Sequence, residues 1–174
     1  MEIDTFNGLG HAEAADVMQR CCTASRWVNR MVEGRPYPGI AEMLEKAREH
    51  WSGMVEPDWL EAFEGHPRIG DPESLKAKYR ATQATASGEQ SSVRQADEET
   101  LTALAEGNQA YVERFGFIFI IFASGKSAPE MLAHLRSRLG NNRRTELATA
   151  AGEQWKITRR RLEELFAFTR SHAA

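Results

Sequence analysis

Phe115-Gly-Phe-Ile-Phe-Ile-Ile-Phe122 is the stretch on which the fold class turns. Its composition fits a buried strand as well as a buried helix end, and periodicity does not separate the two in so short an apolar run. A strand needs a neighbour to satisfy its backbone, and no second run in the chain has strand character. The run therefore reads as a short apolar extended segment near Phe117 to Ala123, set in the core of a helical domain. Continued to Ala123, it is under half of the ~20 residues that a membrane-spanning helix requires.

Outward from this run the chain reads as helix. Upstream, Leu101, Leu104, Ala105, Tyr111, Val112 and Phe115 share one face of a long helix predicted over residues 88–114. Downstream, Ser127-Ala-Pro-Glu130 is a capping box. Met131, Leu132, Leu135 and Leu139 give the next helix its apolar face, and Gly140 ends it. A last helix is predicted over 142–169. Earlier, Ala14, Val17, Met18 and Cys21 recur at helical spacing, and Trp27, Val28 and Met31 resume after a break near Ser25. Ile40, Met43, Leu44, Ala47, Trp51 and Met54 then form one stripe. Turn punctuation marks Gly34-Arg-Pro-Tyr-Pro-Gly39, and a short helix over 58–64 stops at Gly65. Residues 67–87 are polar and read as loop with one helical turn. No repeat or linker divides the sequence, so the expectation is one all-α domain, a helical bundle over 1–174.

Composition narrows the function. The chain has 174 residues, 41% of them hydrophobic and 27% charged, which suits a soluble globular protein rather than a disordered one. Lys plus Arg number 22 against 25 Asp plus Glu, a net charge of -3. That balance argues against a nucleic-acid binder, which would carry a basic surplus. Cys21 and Cys22 are adjacent and too few for a disulfide framework, and Met1 to Thr5 already holds two acids, unlike a secretory leader. A cytoplasmic protein is expected, with neither nucleic acid nor membrane as partner. His11, His50, His66, His134 and His172 are dispersed without metal-ligand spacing. Neither a phosphate-cradling glycine loop nor a nucleophile elbow occurs.

Three positions carry chemistry. Pro67 pushes His66 out of helical geometry just past a predicted helix end. There the helix dipole, or a nearby carboxylate, would favour the protonated ring, which makes His66 a candidate proton carrier near neutral pH. A loop histidine bonded to local backbone is the other reading. Glu89 and Gln90 stand at the start of the long helix behind Ala86-Ser87-Gly88. Ser87-x-x-Gln90 is itself a capping box, while free N–H groups at Ser87 and Gly88 would also receive an anion. On a helical projection with Leu162 at zero, Arg161 falls near ~260°, inside the stripe that Leu147, Ala151, Ile157 and Leu165 define, whereas Arg160 and Lys156 face away. A guanidinium turned toward a core needs a carboxylate, carbonyls or a ligand. Asn108, on the apolar face of the long helix, reads as a satisfied core amide.

Taken in order, these residues resemble a known family. Trp59-Leu-Glu-Ala-Phe63 followed by His66-Pro-Arg-Ile-Gly-Asp71 is similar to the signature of the OHCU decarboxylases, which act on 2-oxo-4-hydroxy-4-carboxy-5-ureidoimidazoline in urate breakdown. The likeness continues through the Arg35-Pro36 turn, Glu89-Gln90, Asn108-x-x-Tyr111, Arg114-Phe-Gly-Phe-Ile-Phe119 and Lys156-Ile157 to Arg161-Leu162. It implies a helical fold, commonly a homodimer, with neither metal nor organic cofactor, yielding (S)-allantoin. By that likeness His66 is the catalytic acid/base, and Glu89 and Arg161 complete the polar site. Pro67, Ala86, Ser87, Gly88 and Gln90, with Phe119, Ile120, Ile121, Phe122 and Ala123, would line the substrate. Some relatives have Ser where Ala86 stands and Cys where Phe122 stands, so a hydroxyl contact is lost here. The competing readings are a non-catalytic helical binding module and a lyase or hydrolase acting on another ureido acid.

Overall fold

The computed structural model describes the backbone of residues 1–66 and 90–167, and the side chains of 1–66 and 98–166. Among the described residues every regular element is an α-helix, in the order α1 (Ile3–Gly8), α2 (His11–Gln19), α3 (Ser25–Glu33), α4 (Ile40–Ser52), α5 (Glu56–Glu64), α6 (Gln90–Phe115), α7 (Ala128–Leu139) and α8 (Arg143–Ala167). The protein is all-α, as the periodicity predicts. The expected loop over 67–87 lies outside the described residues. Two boundaries show why propensity misplaces helix starts. Pro57 occupies the first turn of α5, where its missing N–H costs nothing, and the Asp58 carboxylate accepts the Val55 N–H at 3.0 Å, so the helix begins two residues before the predicted 58. Helix α1 escapes the pattern altogether: Phe6 is its one buried side chain, and one apolar residue makes no stripe.

The chain divides into two compact units, Met1–His66 with Ala151–Ala174, and Pro67–Ala150. Because the first unit takes residues from both ends of the sequence, no linker composition betrays the division. Its core holds Phe6, Met18, Trp27, Met31, Met43, Leu162 and Phe166, all essentially solvent-free. The indoles fix the packing as well as fill it. Trp27 Nε1 donates to the Ala47 carbonyl at 3.0 Å, tying α3 to α4, and Trp51 Nε1 donates to the Ala151 carbonyl at 3.1 Å, tying α4 to α8.

The second unit settles how Phe115 to Phe122 folds. Helix α6 closes on Gly116, which takes a φ of +80° and returns its N–H to the Val112 carbonyl at 2.8 Å. A β-carbon is disfavoured at that dihedral, so the helix stops at this glycine. The chain then runs outside any helix, and Phe117, Phe119, Ile120 and Ile121 are buried. In place of a neighbouring strand, a guanidinium meets the backbone: Arg138 Nη1 donates to the Ile120 carbonyl at 2.7 Å. Arg138 is itself paired with the fully buried Glu146, Nη2 to Oε1 at 2.6 Å, and its guanidinium stacks 4.5 Å from the Phe119 ring centre. The Tyr111 hydroxyl donates to the same carboxylate, and Asn141 Nδ2 to its other oxygen at 2.7 Å. Burial first, then the acceptor carboxylate, push the Tyr111 hydroxyl far above its ordinary value, so it remains a donor. The Ser127–Glu130 capping box forms as predicted, Ser127 N–H reaching Glu130 at 2.7 Å. Glu130 is held below the usual carboxylate range chiefly by that backbone bond. Asn108 is the satisfied amide that the sequence suggests, donating to the Leu104 carbonyl at 2.8 Å.

Candidate active site

His66 follows directly on the end of α5, and a close approach explains how it is held there. Thr23, in the turn before α3, donates its hydroxyl to the Glu61 and Ala62 carbonyls at 3.1 and 3.4 Å, satisfying the last turn of α5. Gly65 lies against that hydroxyl so tightly that a β-carbon would stand 2.3 Å from Thr23 Oγ1. The glycine is required by contact here, not by dihedral. The Ser25 hydroxyl and N–H both bond the Glu61 carboxylate, the latter at 3.0 Å, so the helix end is pinned twice.

From this stub the half-buried imidazole reaches α8. His66 Nε2 lies 2.6 Å from Gln154 Oε1. Gln154 is fully buried and donates its amide N–H to Thr158 Oγ1 at 3.2 Å; Thr158, also fully buried, bonds the Cys22 thiol. One turn on, Arg161 Nη1 donates to the Cys21 carbonyl at 3.2 Å. Among the described residues no carboxylate pairs with Arg161. Arg160 instead pairs with Glu164 and Lys156 with Glu153 on the solvent side, as the projection predicts.

The electrostatics reverse one expectation. Burial, and then the Arg161 guanidinium, hold the His66 pKa below its ordinary 6.5, and the Gln154 bond opposes them with a smaller effect. The ring is neutral at pH 7, not protonated. A sequence shows the helix end but neither the desolvation nor the cation arriving from α8, and these outweigh the dipole. Burial also pushes the Cys21 and Cys22 thiols up to about 12 and about 11, which leaves both as inert thiols.

The other predicted positions fall in three groups. Pro67, Ala86, Ser87, Gly88 and Glu89 lie outside the described residues, and Gln90 opens α6 with its side chain outside them. In the second unit Phe119, Ile120 and Ile121 are buried, Phe122 is half-buried and Ala123 is exposed. Of these, the Phe119 ring packs against Tyr111 and under the Arg138 guanidinium within the second unit. In the first unit, Gln154 and Thr158 are the polar residues that sequence reasoning passed over. The signal was present, since the projection that singles out Arg161 places them near ~280° and ~320°, inside the same stripe. Uncharged side chains raise no alarm on a buried face, and so they escape notice. Among the described residues no cluster of three His, Cys, Asp or Glu could hold a metal ion. No described helix is long and apolar enough to cross a membrane.

Comparison with known proteins identifies the family. A sequence model described as OHCU decarboxylase matches residues 7–163. The uric acid degradation bifunctional protein TTL of Arabidopsis thaliana is 37% identical over 153 residues, covering 87% of this chain and 47% of that protein. The chain thus spans about half the length of that relative. The 2-oxo-4-hydroxy-4-carboxy-5-ureidoimidazoline decarboxylase of Haloferax volcanii is 26% identical over 168 residues, covering 96% of this chain and 97% of that one. A crystal structure of an OHCU decarboxylase in the presence of (S)-allantoin superposes with a TM-score of 0.70 at 38% identity, over 87% of this chain and 98% of its own. With the match running from the first helix of the fold to beyond Arg161, this chain belongs to the OHCU decarboxylase family.

Proposed function

We propose that this chain decarboxylates 2-oxo-4-hydroxy-4-carboxy-5-ureidoimidazoline and delivers (S)-allantoin, with His66 as the acid/base. The observation that carries the reading is a half-buried imidazole in the field of the Arg161 guanidinium, which no carboxylate among the described residues neutralises. The bond from the ring carbon to the carboxylate breaks, and its electron pair moves into the adjacent ring C=N, whose nitrogen takes up a proton. The hydroxyl proton then leaves as that carbon becomes a carbonyl, and a proton arrives at the carbon bearing the ureido group. Because the substrate's own C=N accepts the pair, the reaction calls for no electron sink from the protein. A neutral His66 is suited to take the hydroxyl proton and return one to a single face of the ring. Among the described residues Arg161 is bonded to the Cys21 carbonyl through Nη1 alone, and its planar fork of donors suits an anionic or carbonyl oxygen. Glu89, Gln90, Pro67 and residues 86–88 and 119–123 are further substrate contacts that the family likeness assigns.

The test uses freshly generated substrate followed by circular dichroism. Stereoselective formation of (S)-allantoin, faster than spontaneous decay and slowed at least about 10²-fold by His66→Ala, supports the reading. Racemic product at the uncatalysed rate refutes it, and that outcome is what a non-catalytic binding module would give. Chelator treatment is expected to leave turnover unchanged.

The same proposal takes the chain as one functional domain, since the family match crosses both compact units. It also takes the protein as a cytoplasmic homodimer. The two free, buried cysteines suit a reducing compartment, and sedimentation at micromolar concentration reads the subunit number.

A further inference from the structure

An imidazole acts as a base through one nitrogen, and which one is set by what the other nitrogen bonds. At His66 that partner is the amide of Gln154, 2.6 Å from Nε2. An amide is nearly symmetric in shape, so its neighbours decide which atom faces which. The Cys22 sulfur is hydrogen-bonded by the Ala24 backbone and by the Thr158 hydroxyl. Thr158 Oγ1, whose hydroxyl is bonded to the Cys22 thiol, accepts from Gln154 Nε2 at 3.2 Å. That turns Gln154 Oε1 toward His66, where only a ring N–H can satisfy it. Gln154 donates to Thr158 and so presents its oxygen to His66, and Gln154 and Thr158 are both fully buried, so water cannot take over either role.

We infer that Gln154 is a positioning residue for the decarboxylation proposed above: it fixes His66 as the Nε2–H tautomer and leaves Nδ1 as the basic nitrogen. The inference rests on that functional reading for its meaning but not for its first test. Nitrogen-15 spectra of histidine-labelled wild-type protein above pH 7 report directly which ring nitrogen carries the proton, without any turnover. A proton on Nε2 is expected; a proton on Nδ1 overturns the inference whatever the enzyme does.

Two variants then separate positioning from packing. Gln154→Met keeps the volume and removes the acceptor, and kcat is expected to fall at least about tenfold with KM changed less than about twofold. Gln154→Glu keeps an oxygen opposite Nε2 and recovers most of that loss. Its carboxylate stabilises the imidazolium, so the acid limb of the pH–rate profile moves upward, against the charge of Arg161, the cation that bears on the ring from α8. Two folded variants with wild-type kcat and an unmoved pH profile would show that Gln154 only fills space, and the inference would fall. A protein with the Nε2 proton in place but no decarboxylase activity would instead refute the functional reading alone.

Discussion

His66 gives up its proton more readily than a free imidazole, because burial strips solvent from the charged form and Arg161 repels it. The sign of the pH dependence follows. In the folded protein the pKa lies below the ordinary 6.5, so the neutral ring contributes stability that is fully present above that pH. The contribution is lost as the pH falls from there through the folded value, since the unfolded chain takes up the proton first. His66→Gln should flatten this part of the stability–pH curve, as read by denaturant unfolding between pH 5 and 7; an unaltered curve would mean that the ring is solvated like any surface histidine. Replacing the guanidinium tests the same field. Arg161→Gln should raise the His66 pKa in an NMR titration, whereas Arg161→Lys should leave it low. Arg161→Lys should nevertheless reduce kcat/KM by about tenfold or more, because an ammonium cannot supply two parallel donors from one plane.

At the scale of elements, the placement of His66 depends on how α5 stops. Its last carbonyls are taken by Thr23, and Gly65 leaves room for that hydroxyl. Gly65→Ala should therefore push the helix end and the turn before α3 apart, costing about 1–3 kcal/mol and shifting His66 away from Gln154. Thr23→Ala in the same chain removes both the hydroxyl and the methyl that the new β-carbon meets, so the double variant should recover part of the lost stability. Thermal melts of the two single variants and the double decide it; strict additivity would show that the two residues do not touch. Helix α8 brings the remaining groups to that end point. Gln154, Thr158 and Arg161 recur at four- and three-residue spacing, which places them one above another on a single face.

For the molecule as a whole, the Arg138–Glu146 pair is the buried one among the ion pairs of the described residues. It is buried, closed by Tyr111 and Asn141, and it supplies the donor that Ile120 would otherwise receive from a second strand. Glu146→Gln leaves the guanidinium unbalanced and should cost about 3–5 kcal/mol in unfolding free energy, with faster amide exchange over residues 117–123. Arg138→Met combined with Glu146→Leu should cost less, since no charge is then left uncompensated. Equal losses from the single and the double changes would argue against a coupled pair. Here the limit of sequence reading becomes visible. The helices, their apolar faces, the capping box at Ser127 and the inward turn of Arg161 are legible in the order of residues, because a 3.6-residue repeat and a cap are local properties of the chain. So are the short motifs that mark the family. What relieves the backbone of the Phe115 to Phe122 run, which amide meets His66 and which protonation state that ring holds are decided only by folding. His66 and Gln154 are 88 residues apart, and Arg161 and the Cys21 carbonyl 140. Burial and a neighbouring charge fix a proton's place according to distance in space, and separation along the chain carries no record of that distance.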